Sequence, residues 1–118
     1  MQQIFVELYN YKPTWLHLTD GERAEVVQGV IEAVIGLKSA GVDVLGAGMN
    51  AMTTDHRAPY DFFCVYRVPS PEFQREFERQ VAASGWYDFF DQVNVSGDSR
   101  DFDEILNDNA RLESPGSI

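Results

Sequence analysis

The chain has 118 residues, 44% apolar and 13% aromatic, with 19 acidic against 9 basic side chains and a formal net charge of -10. That length suits one domain able to bury a core without staples, and the apolar content argues against disorder despite the charge. The acidic balance, with no Lys/Arg cluster to offset it, argues against nucleic acid and anionic membrane as partners. With no secretion-type N-terminus and no run of eighteen apolar residues, a cytoplasmic protein is expected.

Residues Gln3 to Tyr9 alternate, with Ile4, Val6 and Leu8 on one side and Phe5, Glu7 and Tyr9 on the other, as a strand requires. Pro13 stops it. Thr19, three residues before Glu22, forms a capping box that opens a helix, and Val27, Val30, Ile31, Val34 and Ile35 give that helix one wide apolar stripe down to Lys38. Gly41 closes it with a left-handed cap.

Val42 to Met49 reads as a second strand, in which Gly46 and Gly48 suggest a bulge or a close backbone approach. After a polar loop from Asn50 to Pro59, Tyr60 to Val68 is a third strand of aromatic and β-branched residues. Ser70 and Pro71 start a second helix, whose buried stripe is Phe73, Phe77 and Val81 and which ends at Ser84-Gly85. Asp91 to Val95 is a fourth strand. The tail carries a short helix around Phe102 to Asn107, then a loosely ordered Ser114-Pro115-Gly116.

This order predicts an α+β domain over residues 1–100, of ferredoxin-like βαββαβ topology, with two helices on one face of a four-stranded antiparallel sheet. Residues 101–118 form a tail. Strand three is apolar on both sides, with Phe62, Cys64, Tyr66 and Val68 opposite Phe63 and Val65. Two helices cover only one face, so the other is expected to meet the same sheet of a second copy, making a homodimer.

The pattern resembles the dimeric α+β barrel superfamily. Within it, the stretches Phe5-Val6-Glu7-Leu8-Tyr9-Asn10, Thr54-Asp55-His56-Arg57-Ala58-Pro59-Tyr60-Asp61 and Gly85-Trp86-Tyr87-Asp88-Phe89-Phe90 look like those of a family of short bacterial proteins of unknown function. The resemblance spans residues 3 to 97 and implies the fold. The wider superfamily holds cofactor-free monooxygenases, dehydratases and isomerases, haem-dependent enzymes and stress-responsive proteins, and no catalytic site carries over residue by residue.

Chemistry-bearing residues are few. His56 lies in a polar turn beside Asp55, which could hold its tautomer for acid-base work; the alternative is that Asp55 and Arg57 shape the turn while His56 bonds backbone. Tyr9, Tyr11 and Trp15 follow strand one, while Trp86 and Tyr87 precede strand four. With Glu7, Asn50, Tyr66 and Asn94 they could line an apolar pocket with polar tips, or else fill a core or an interface. Cys64, in an apolar run, reads as a small buried hydrophobe. His56, Asp55 and Asp61 lack metal-site spacing, and Gly46-Ala47-Gly48 leads into no helix that would cradle phosphate, so no cofactor is expected. Two functions stand open. One is a cofactor-independent enzyme (oxygenase, isomerase, cyclase or dehydratase) acting on a small apolar or aromatic ligand; the other is a non-catalytic ligand-binding or stress-regulatory dimer.

Overall fold

Alternation along the N-terminal segment produces β1 (Gln3–Tyr11), whose odd-numbered side chains Gln3, Phe5, Glu7 and Tyr9 are all buried in the computed structural model, which describes residues 1–112. β1 outruns the expected Tyr9 by two residues, because Asn10 and Tyr11 still pair with Asp91 and Phe90 across the sheet; Asp61 Oδ2 also accepts the Tyr11 N–H at 3.0 Å. Pro13 then opens an unforeseen single turn, α1 (Pro13–Leu16).

α2 (Asp20–Ser39) begins with the expected capping box: Thr19 Oγ1 accepts the Glu22 N–H at 3.2 Å and Glu22 Oε1 accepts the Thr19 N–H at 2.9 Å. The bond from the Thr19 backbone N–H is the main cause that holds the Glu22 carboxyl below its ordinary pKa. Gly41 follows the helix at φ 108°. β2 (Asp43–Met49) and β3 (Phe62–Val68) lead to α3 (Pro71–Ala83), capped by Ser70, whose Oγ accepts the Phe73 N–H at 3.1 Å. A 3-10 turn (Trp86–Asp88), β4 (Phe90–Asp98) and α4 (Phe102–Ala110) complete the order. The residues Ser114-Pro115-Gly116 lie outside those described.

The four strands form one antiparallel sheet in the order β2-β3-β1-β4. The central strand β1 sets Phe5 opposite Tyr66, Glu7 opposite Cys64 and Tyr9 opposite Phe62 on one side, and Glu7 opposite Asn94 and Tyr9 opposite Gln92 on the other. The expected bulge is present, whereas the close neighbour of Gly48 is a side chain rather than backbone. The register slips between Val44 and Gly46, and a Cβ on Gly48 would stand 3.0 Å from Phe63 Cζ.

The core gathers Phe5, Val42, Tyr66, Val68 and Phe77, with Leu37, Phe73 and Val81 packed against it. Phe77 meets Phe5 edge-on at a centroid distance of 5.5 Å, so the α3 stripe buries as its spacing requires. The α2 stripe does not. Val30 and Val34 are half-buried together with Val26 and Leu37, whereas Val27, Ile31 and Ile35 stand exposed, and the helix contributes no buried residue. α2 is apolar on two sides, so its periodicity alone names no single inward direction.

The side of the sheet opposite the buried Phe5/Glu7/Tyr9 row carries Ile4, Val6, Leu8 and Val65, half-buried, and Val93 and Val95, exposed. Among the described residues no helix is long and apolar enough to cross a membrane.

Candidate functional site

Where α2 stands off the sheet, a cavity of about 620 Å³ opens between α2, β1, β3 and α3. Val26, Val30 and Val34 form its α2 wall, Phe77 and Val81 its α3 wall, and Glu7, Tyr9, Cys64 and Tyr66 its floor. Gly85 and Trp86 close one end. Gly85 adopts φ 84°, a left-handed conformation that glycine takes without a Cβ penalty, and so turns the chain to lay Trp86 against Phe90 and edge-on to Tyr9.

Strand alternation puts Glu7 between Phe5 and Tyr9 on the helix-facing side, where it is 3% exposed. Glu7 Oε1 accepts from the Tyr9 hydroxyl at 2.6 Å, and Oε2 from Gln92 Nε2 at 2.5 Å. Gln92 in turn accepts from Trp86 Nε1 at 2.8 Å and donates to Asn94 Oδ1 at 2.7 Å. The register makes this chain of bonds possible, because Gln92 lies directly across from Tyr9 and Asn94 across from Glu7.

Burial pushes the Glu7 pKa above its ordinary 4.5; hydrogen bonds from Tyr9, Tyr66 and Gln92 pull it back in part, and the nearby Glu78 charge adds to the rise. Burial and the Glu7 charge raise the Tyr9 and Tyr66 hydroxyls as well. The Cys64 thiol is raised chiefly by burial, which disfavours a thiolate nucleophile. The site is thus a carboxyl that holds its proton more tightly than a solvated one, set beneath apolar walls and wired to tyrosine hydroxyls. Such a group can deliver or accept a proton at the floor of the cleft.

Of the residues singled out by sequence, Glu7, Tyr9, Tyr66 and Trp86 line the cleft. The others lie elsewhere. Trp15 packs on Phe89 and Phe90 at 5.7 and 4.8 Å, as filler. Asn50 clamps its loop by donating to the Ala58 and Tyr60 carbonyls at 3.0 and 2.9 Å. The Tyr87 carbonyl accepts from Lys12 Nζ at 2.5 Å, and Asn94 reaches Glu7 only through Gln92.

His56 and Asp55 sit 3.7 Å apart with side chains 95% and 97% exposed, outside the cleft. His56 has φ 51° and donates its backbone N–H to Asp55 Oδ1 at 3.1 Å, the arrangement of a turn. Full solvation gives this pair neither a dry environment nor a relay to the cleft. Asp61, weighed as a ligand, instead accepts the Tyr11 N–H, and no group of three or more His, Cys, Asp or Glu among the described residues could hold a metal ion.

Gln92 escaped the sequence reading although it joins Trp86 to Glu7. Its signal was present in the polar pair Gln92 and Asn94 at alternate positions of a predicted strand. No curated protein and no solved structure shows a significant match to this chain. A family model matches residues 2–112, and the chain belongs to that family, described as a family of unknown function (DUF6616).

Proposed function

We propose that this protein is a small-molecule enzyme of dimeric α+β barrel type, with a ferredoxin-like fold, that moves a proton on an apolar or aromatic ligand held in the α2 cleft without a cofactor. One observation carries the reading: Glu7, the one buried carboxyl among the described residues that line the largely apolar cavity, sits at its floor and is bonded to Tyr9. Glu7 is the acid-base group in place of His56. Tyr66 and Gln92 tune it, and Trp86 shapes the end of the cleft. Isomerase, cyclase and dehydratase chemistry all need such a group.

The homodimer is supported by area. The chain exposes 8139 Å², where a monomeric protein of 13.4 kDa exposes about 6,500 Å². That excess is ample for the ~800 Å² each partner contributes to a standard interface. Its apolar part includes Val93 and Val95 on the open sheet face.

Native mass spectrometry of the purified protein identifies the ligand, and incubation of that ligand in deuterated water tests the chemistry. The expected outcome is solvent deuterium incorporated by wild type and by His56→Ala but not by Glu7→Gln; exchange by Glu7→Gln at the wild-type rate overturns the assignment. A second reading, a non-catalytic carrier of hydrophobic ligands, draws on the fact that both Glu7 oxygens already accept hydrogen bonds. Tight binding with no exchange by wild type would favour it.

A further inference from the structure

Buried carboxylates in proteins are paired with a cation, saturated with hydrogen bonds, or neutral. Glu7 has hydrogen bonds but no cation among the described residues. The groups acting on it from β1, β3, β4 and α3 are Tyr9, Tyr66, Gln92 and Glu78, none of them basic. The cleft as a whole repeats the imbalance: no Lys, Arg or His lines it among the described residues, while Glu25 joins Glu7 from the α2 side. Its remaining walls include the rings of Tyr9, Phe62, Tyr66, Phe77, Trp86 and Phe89. Aromatic faces carry negative potential and attract organic cations, more strongly where water is excluded. An anion entering this cleft would meet two carboxyl groups and no counter-charge.

Resting on the reading of the cleft as the ligand site, we propose that its ligand is an organic cation, an amine carried on an apolar or aromatic body, with the ammonium group between Glu7 and the aromatic walls. The volume of about 620 Å³ admits a body of one or two fused rings. The ligand supplies the positive charge that the described lining of the cleft omits.

Isothermal titration of the full chain near neutral pH with naphthylmethylamine, naphthylmethanol and naphthoate tests this, because the three probes share one body and differ in charge. The amine is expected to bind about tenfold tighter than the alcohol, with naphthoate weakest. In Glu7→Gln the tenfold advantage of the amine over the alcohol is lost. The wild-type ranking decides the matter even where the variant does not fold. Naphthoate equal to the amine, or alcohol equal to the amine, overturns the cation while leaving the cleft as a ligand site; failure of all three probes overturns both.

Discussion

A carboxyl buried at 3% exposure, with no basic partner among the described residues, leaves a signature in stability as well as in chemistry. The folded pKa of Glu7 is raised above its unfolded value, so between the two the native state holds a proton that the unfolded state has released. Stability therefore falls as pH rises from the ordinary 4.5 through the folded pKa, and stays lowered above it. Each pKa unit corresponds to about 1.4 kcal/mol. Glu7→Gln keeps the shape and removes the titration. Thermal melts across that range should show wild type losing stability with increasing pH relative to Glu7→Gln, and parallel profiles would remove the burial argument. At this scale the sequence named Glu7, Tyr9, Tyr66 and Trp86, but chose His56 as the acid-base group because histidine has the convenient free pKa. Burial, which no local pattern reports, raises the Glu7 pKa, and the proposed acid-base role rests on that carboxyl instead.

Elements announced by caps were legible. Thr19 with Glu22 and Ser70 with Pro71 placed the starts of α2 and α3, since those side chains satisfy backbone donors in the first turn. Short elements such as α1 and the Trp86–Asp88 turn were not legible, because too few residues carry a period. The turn matters to the site through Gly85: a side chain there is strained at φ 84°. Gly85→Ala should cost about 1–2 kcal/mol and loosen Trp86, seen as a lower melting temperature with reduced near-UV ellipticity. An unchanged near-UV spectrum would detach the turn from the cleft. Thr19→Ala should cost about 1 kcal/mol in denaturant unfolding without altering ligand affinity, since its bonds form the capping box at the start of α2, outside the lining of the cavity. A loss of ligand binding in that variant would tie the helix start to the site.

The molecule as a whole is more extended than its size requires, with a radius of gyration of 16.8 Å against roughly 13 Å for a compact domain of this length. α4 contributes to this, holding Phe102 and Leu106 in solvent at 72% and 52% exposure. Together with the open face of the sheet, these surfaces suit the proposed second copy. Light scattering is expected to give twice the mass of the chain, and Val95→Glu, on the exposed face, is expected to give a monomer with an unchanged far-UV spectrum. A monomeric wild type would overturn the dimer, and a dimeric Val95→Glu would move the interface off this face.

By itself the sequence determined the order of the four strands and of α2, α3 and α4, the two alternating sides of β1, and the acidic charge balance, because these follow from short-range periodicity, capping and charge count. The tertiary structure decided which side of β1 faces the helices, which half of the apolar α2 turns inward, and that Gln92 closes a bond between Trp86 and Glu7. Those choices depend on register and on how far a helix stands from a sheet. They are set by contacts between residues as distant as Glu7 and Gln92, which no local window contains.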